Sequence, residues 1–495
     1  MSVTGIRSSL LKQYLERTIP AEFVDRFSPA TIAFAAGLDV VTQTSPAVAE
    51  SILAELADQR QNVKLIAGEN FASPAVLLAA ANWLNDKSAE GVPGKRLYAG
   101  CQNVDDIEEY AVSRAKKLFA ADHAYIQPHS GLDANLVAFW AILAHRVQNP
   151  AVLGAGGRNV DELSAAEWRK LRTELGNQRL LSMSLEAGGH LSHGVRSNIT
   201  GKLFDTHAYG VGPSGTVDYT DLARMAREVR PLILLAGYSA YPRLLDFRIL
   251  RQIADEVGAT LMVDMAHFAG LVAGGALSGD HDPVRYADIV TTTTHKTLRG
   301  PRGGMVLCRS EFADAVDRGC PLVISAPIPQ MMAAKAVALD EASTPEFRDY
   351  AHGVVANARR LAETLVARGV PVLTGGTDNH LVLVDVRPFG LTGRQAESAL
   401  RSARLTCNRN TIPSDSHGRW YTSGLRFGTA ALTTLGMGGD EMTEIGELIY
   451  LVLRDTAAVP GSSSRFYLDP AVGQSVSRRA LALLERFPLY PGLDL

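Results

Sequence analysis

The chain has 495 residues, enough for two or more domains, each with its own core. Apolar residues make up 46% and charged residues 20%, the profile of a soluble globular protein, and a net charge of -3 excludes the basic stripe that nucleic acid requires. The longest apolar run, residues 136–144, is too short to cross a bilayer, and the four cysteines follow neither metal nor disulfide spacing. These features imply a reduced, cytoplasmic protein with no membrane or nucleic-acid partner.

The opening "MSVTGIRSSLLKQYLER" is broken by charges and lacks the apolar core of a signal peptide. Residues 1–62 read as a polar helical arm, and residues 63–342 as a large α/β domain. Within it, "DLARMAREV" and "LRQIADEVG" carry apolar residues at helical spacing: Leu222, Met225, Ala226 and Val229, then Leu250, Ile253, Ala254 and Val257. "PLILLAG" and "ATLMVDMAH" are nearly unbroken apolar runs, as strands of a mostly parallel sheet covered on both faces should be. "ADIV" and "GGMVLC" continue the strand series, so the fold class is α/β built of crossovers. From residue 343 to 495 the pattern is that of a smaller α+β domain. A long amphipathic helix begins "YAHGVVANARR", "NHLVLVDV" is a strand, "GDEMTEIGELIYLVLRD" is a helix, and "RRALALLERFPLY" is the last helix after the loop "PGSSSR".

In open α/β sheets ligands gather beyond the carboxyl ends of the strands, and three such ends carry polar groups. "QPHSG" offers Ser130-Gly131 at a helix N-terminus, where free backbone N–H groups suit a phosphate, although a serine cap is the plain reading of that turn alone. "MVDMAH" ends with Asp264 and His267. "DIVTTTTHKTLRGPRGG" presents Lys296 32 residues after Asp264, at the exit of a buried strand. Burial lowers an ammonium's pKa and prepares a lysine to condense with an aldehyde. An aspartate and a lysine on neighbouring strand ends suit pyridoxal phosphate, the aspartate holding the protonated ring nitrogen. The alternative is a structural Asp–Lys ion pair; together with the Ser-Gly turn the cofactor reading leads. "GGHLSHG" offers His190 and His193. No third ligand at usable spacing accompanies them, so no metal is expected. His190 is better used stacked on a flat cofactor, and His193 can be a plain loop histidine.

Taken in order, "AEGVPGKRLYAG", "QPHSG", "GGHLSHG", "VDMAHFAGLVAGG", "TTTTHKTLRGPRGG", "GGTDNHLVLVD" and "TSGLRFGT" resemble the serine hydroxymethyltransferases, from about residue 65 to 453. An insertion near 147–181 and the closing "RFPLYPGLDL" resemble the longer, chlamydial-type branch of that family. The resemblance implies the pyridoxal-phosphate-dependent fold type I. It also implies transfer of a one-carbon unit between serine, glycine and tetrahydrofolate, the co-substrate, in one-carbon metabolism and amino-acid biosynthesis. It assigns the cofactor aldehyde to Lys296, its ring nitrogen to Asp264, its face to His190, its hydroxyl region to His267 and Ser239, and its phosphate to Ser130 and Gly131. Arg426 would clamp the amino-acid carboxylate, Glu90 would be the acid–base group, Tyr98 would position substrate, and Asn410 would face the pterin. Thr293 and His295, from the lysine motif, join the catalytic set. The family's site is shared between subunits, which implies a homodimer or dimer of dimers in which Ser88, Glu90 and Tyr98 reach a neighbour's cofactor.

Several positions depart from the family pattern. Gly68 in "AGEN" stands where the family has serine, Ser88 in "KSAEG" where it has tyrosine, and Leu97 where an aromatic lies against the folate. Leu132 and Ala430 also differ. The loss of bulk at Gly68 and Ser88 implies room beside the substrate's Cα. Two readings then stand open: serine as the ordinary donor, or a bulkier amino acid such as 2-methylserine or D-alanine, or a different aldehyde acceptor, in an enlarged pocket. Leu97 opens a folate-independent, threonine-type aldolase or transaldolase as a further reading. A catalytically silent relative is the remaining class, and the retained Lys296, Asp264, His190 and Arg426 weigh against it.

Overall fold

The computed structural model describes residues 28–493; the first 27 residues of the arm read from the sequence, and the last two of the chain, lie outside the described residues. The chain forms two compact units, the described residues through Val63 with those from Arg479 onward, and Lys64–Arg478. The first contains two helices, Pro29–Thr44 and Pro46–Gln61, each with proline in its first turn, where the absent N–H costs nothing. Arg60 ties this unit together by donating to the carbonyls of Leu489 (3.3 Å) and Leu493 (2.6 Å).

The second unit is built on a seven-stranded sheet. In chain order its strands are β1 His123–Tyr125, β2 Arg179–Met183, β3 Asp205–Tyr209, β4 Ile233–Gly237, β5 Thr260–Asp264, β6 Ile289–Thr293 and β7 Gly304–Cys308. The spatial order is β1-β7-β6-β5-β4-β2-β3. All neighbours are parallel except β7, which runs antiparallel to both β6 and β1, so β1 points the same way as the parallel strands. The β2 strand begins inside the 147–181 stretch expected to be an insertion, which also holds the end of a π-helical turn, two α-helices and a short 3-10 helix.

Alternation along the strands divides the core in two. Leu234, Ala236, Leu261, Val263, Val290, Met305 and Leu307 face one side with Phe247, Leu250 and Ile253 of the helix Phe247–Val257. Ile233, Leu235, Met262, Ile289 and Val306 face the other, against Val137, Phe139 and Ile142 of the helix Gly131–Leu143. With both faces covered, the strands have no solvent side and read as continuous apolar runs. A three-stranded antiparallel sheet follows in the chain: β8 Leu381–Asp385, β9 Asn408–Asn410 and β10 Gly424–Gly428, in the order β8-β10-β9. The last helix, Pro470–Arg486, starts eight residues before the expected "RRALALL" face.

Leu261 has no exposed surface and packs mid-sheet, whereas Leu97 is 66% exposed. Truncating Leu261 to alanine is expected to cost about 2–5 kcal/mol and Leu97→Ala under about 0.5 kcal/mol, measured as the shift of the denaturant midpoint.

Candidate active site

Lys296 lies three residues beyond the end of β6, on the edge where β4 and β5 also terminate. The threonine run that delivers it is buried, and its hydroxyls are satisfied locally. Thr291 donates to Asn135 Oδ1 (2.6 Å), Thr293 to the Ala266 carbonyl (3.2 Å) and Thr294 to the Pro301 carbonyl (2.6 Å). The backbone of Lys296 is held by Asn70 of "AGEN", whose Nδ2 donates to its carbonyl at 3.0 Å. Its Nζ makes no hydrogen bond or ion pair with any described residue. Burial, with Arg426 and Arg302 nearby, draws the ammonium down to about 8 against the pull of Asp264. In the preceding residue, His295, the buried Nδ1 also lacks a partner.

Asp264, the last residue of β5, is fully engaged without Lys296. Its Oδ2 accepts from His193 Nε2 (3.0 Å) and Asn135 Nδ2 (3.0 Å), and its Oδ1 from the Ala266 amide (3.0 Å). Burial alone would raise its pKa, but these donors and the nearby His190 hold it well below the ordinary carboxylate range. The structural Asp–Lys ion pair is therefore not what these two residues form. His193, read from the sequence as a plain loop histidine, is buried and takes part in this network. Its Nδ1 accepts the His190 amide (3.3 Å), which leaves the ring proton on Nε2, facing the aspartate. Asn135 also donates to Ser192 Oγ (2.8 Å), and Ser192 donates in turn to His190 Nδ1 (2.7 Å). Burial lowers the His190 pKa to about 4, so its ring is neutral and apolar in character.

The fold does supply the third group absent from the local sequence, since ligand atoms of His190, His193 and Asp264 lie within 4.8 Å of one another. Their hydrogen bonds commit them elsewhere. A cation would have to displace the Nε2 proton of His193 while its Nδ1 still accepts an amide.

Ser130 caps the helix Gly131–Leu143, its Oγ accepting from the Asp133 amide at 3.2 Å. A Cβ on Gly131 would stand 2.7 Å from Thr293 Cγ2, so only glycine lets this turn pack on the lysine motif. Beneath it, the buried Lys335 donates to the carbonyls of Ile126 (2.5 Å), Pro128 (2.8 Å) and Gly304 (2.9 Å), bracing the segment that leads into the turn.

Arg426 sits on β10, donating from Nε to Asn408 Oδ1 (3.1 Å) and from a terminal nitrogen to the Ser239 carbonyl (2.5 Å). Among the described residues no carboxylate pairs with it, and burial lowers its pKa to about 10. A largely buried guanidinium without a counter-ion is a receptor for an anion. His267 is buried and stacks on His380, ring centroids 5.5 Å apart. A Cβ on Gly68 would lie in ordinary contact with Lys296 Cε (3.7 Å) and His267 Cε1 (4.0 Å), so one more carbon fits beside the lysine without a clash. Asn410 turns its Nδ2 to the Thr411 carbonyl (2.6 Å).

Lys296, Asp264, His190, His267, Ser239 and Arg426 thus converge, with Gly131 packed on the lysine motif through Thr293. Ser88, Glu90 and Tyr98 do not join them: no hydrogen bond or ion pair links them to this cluster. They flank the short hairpin Gly91–Val92/Lys95–Arg96, where Ser88 is exposed and Tyr98 half-exposed. Arg96 fixes that hairpin by donating to the carbonyls of Ala89 (2.8 Å) and Gly91 (2.6 Å), on either side of Glu90, and by pairing with the buried Glu108 (2.5 Å). Asn70, Asn135, Ser192 and Asn408 are site residues that the sequence analysis did not single out. Each is a neutral side chain whose role exists only through a distant partner.

The neutral amine of Lys296 is the form that attacks an aldehyde, and it predominates above about pH 8. Trapping of a simple aldehyde on Lys296 by borohydride, read by mass spectrometry, is expected to rise with pH to a half-maximum near 8. A midpoint near the ordinary lysine value would contradict the buried, unpaired environment. The same shift makes this group's stability contribution rise with pH between about 8 and 10.5, where the unfolded chain holds a proton that the folded chain lacks.

The serine hydroxymethyltransferase family model matches residues 41–160 and 171–449, so only 161–170 fall between the matched segments. Over 471 residues the chain is 59% identical to a serine hydroxymethyltransferase of Salinispora tropica, covering 94% of this chain and 98% of that protein. A Mycolicibacterium smegmatis serine hydroxymethyltransferase is 56% identical over 476 residues, 96% of this chain and 97% of its own. One from Chlamydia pneumoniae is 49% identical over 494 residues, 98% and 99% of the two chains. With the mostly parallel sheet of fold type I, the unpaired lysine at its carboxyl edge and these matches, the chain belongs to the serine hydroxymethyltransferase family.

Proposed function

We propose that this protein is a pyridoxal-phosphate-dependent hydroxymethyltransferase that interconverts serine and glycine, with tetrahydrofolate receiving or giving the one-carbon unit. The observation that carries the reading is a half-buried pair of cations, Lys296 and Arg426, neither matched by a carboxylate, beside a buried aspartate whose oxygens are already oriented by His193, Asn135 and the Ala266 amide. Pyridoxal phosphate fits these residues: its aldehyde suits the uncommitted Lys296 amine, its phosphate the amide donors at Ser130-Gly131, and its ring nitrogen the low-pKa Asp264. Bound there, it supplies an electron sink for the pair released when the Cα–Cβ bond breaks.

The chain's own residues do the rest. Arg426 binds the amino-acid carboxylate and so orients the breaking bond. Asp264 keeps a proton at the ring nitrogen, His190 covers the ring, and His267 with Ser239 attends its hydroxyl. Thr293 supports the Gly131 turn, and His295 holds an unpartnered nitrogen next to the lysine. Glu90 moves the proton of the substrate hydroxyl, Ser88 and Tyr98 flank it, and Asn410 faces the pterin. The exposure of the Ser88–Tyr98 hairpin supports a homodimer, or a dimer of dimers, in which this hairpin serves a neighbour's site.

The space at Gly68 favours a second donor. With only Lys296 Cε and His267 Cε1 near the missing Cβ, an extra methyl on the substrate's Cα could be accommodated, as 2-methylserine would require.

The test is formation of methylene-tetrahydrofolate from serine and from 2-methylserine by the protein with its cofactor. Turnover of either, abolished by Lys296→Ala, supports the reaction class, and turnover of neither overturns it. Gly68→Ser should be accepted without loss of stability and, if 2-methylserine is the donor, should lower its kcat/KM while sparing serine. Arg426→Lys loses a two-pronged hydrogen bond and should lower kcat/KM for the amino acid by roughly 10- to 100-fold.

A further inference from the structure

The motif "GGTDNHLVLVD" ends against the site, yet the reaction outlined above uses none of its residues. His380, at the entrance to β8, has no exposed surface. Its Nε2 lies 3.3 Å from His267 Nδ1, the two rings are stacked with 25° between their planes, and its own Nδ1 is buried without a partner. The neighbouring residues hold it in place. Asn379 donates to Tyr238 Oη (3.2 Å) and to the Tyr241 carbonyl (3.0 Å), and the His380 carbonyl accepts from the Thr429 amide (3.3 Å).

Two neutral imidazoles joined by one hydrogen bond have only two arrangements. If His267 donated, His380 would carry its proton on Nδ1, an N–H buried with no acceptor. If His380 donates from Nε2, its Nδ1 is a bare lone pair, which costs less to leave unmatched than a buried donor. His267 Nδ1 is then the acceptor, and the His267 proton must sit on Nε2. Burial and the charges of Lys296 and Arg426 keep both rings neutral, so each has one ring proton only.

We propose that His380 is a positioning residue that fixes the tautomer of His267, so that His267 offers the active site an Nε2–H donor rather than a lone pair. This rests on reading the Lys296 pocket as the reaction site. The chemistry calls for a donor there, because both groups that His267 can meet, a substrate carboxylate and the ring oxygen of the cofactor, are oxyanions. With the opposite tautomer a lone pair would face an anion.

The test uses the full-length protein labelled with 15N-histidine, without and with pyridoxal phosphate. Wild type is expected to show His267 with a bare Nδ1 and a protonated Nε2 in the cofactor-free protein. His380→Phe keeps the ring and removes the donor, and should return His267 to a mixture of tautomers. His380→Gln, whose amide can donate near the position of Nε2, should restore the Nε2–H form. In turnover, His380→Phe should raise KM for the amino acid about tenfold or more, and the glutamine variant should recover most of the loss. A protonated Nδ1 on His267 in wild type, or an unchanged His267 tautomer in His380→Phe, overturns the proposal. Should the phenylalanine variant not fold, the wild-type and glutamine spectra still decide. Absence of hydroxymethyl transfer with the predicted spectra would remove the function proposed above and leave the tautomer assignment standing.

Discussion

The site depends on one electrostatic arrangement: two largely desolvated cations without counter-ions beside one buried carboxylate that is already saturated. Lys296 and Arg426 lose hydration at the sheet's carboxyl edge, and among the described residues neither forms an ion pair; Asp264 acts on the lysine only at a distance, and the arginine donates to neutral oxygens of Asn408 and Ser239. Placing such charges in a protein interior costs several kcal/mol each in general terms. Lys335 offsets that cost with three backbone carbonyls, whereas the Lys296 amine has no such partners among the described residues. The unpaired state also makes the lysine reactive, because lowering its pKa exposes the free amine near neutrality. A simple ion pair with Asp264 would have stabilised the ammonium and removed that reactivity.

Keeping Asp264 away from Lys296 therefore needs its own structure. His193, Asn135 and the Ala266 amide occupy the carboxylate, and Thr291, Ser192 and the His190 amide orient those donors in turn. The network thus orients the carboxylate and lowers its pKa without any lysine or arginine among its links. The same logic extends to the stacked His267 and His380, which burial and nearby cations keep uncharged.

The division between rigid and exchangeable parts also follows from packing. The lysine motif, the Ser-Gly turn and Asp264 are fixed to a sheet buried on both faces, where a shift of a few tenths of an ångström meets backbone or methyl groups, as at Gly131. A Cβ on Gly68, by contrast, would make only ordinary contacts with Lys296 and His267. The chain therefore holds Lys296, Asp264 and the Ser-Gly turn tightly and leaves room for a side-chain carbon at Gly68, beside the lysine.

The sequence by itself determined the central strands β4 to β7 and the two helices that flank β4 in the chain, because burial on both faces leaves unbroken apolar runs and amphipathic helices carry a 3.6-residue period; β2 and β3 were not legible in this way. It also exposed Lys296 and Asp264, since charged groups ending such runs are conspicuous. Arg426, Glu90 and Gly68 were legible only through the family motifs, because an isolated arginine, glutamate or glycine has no periodicity to betray it. What only the tertiary structure decided is which groups pair. The structure leaves Arg426 with neutral partners and no carboxylate, and the engagement of Asp264 by His193 rather than by Lys296 and the contact of His380 with His267 join residues about 70 to 110 positions apart. Hydrogen bonds between distant neutral side chains leave no local pattern in a sequence, since their geometry exists only once the strands that carry them lie side by side.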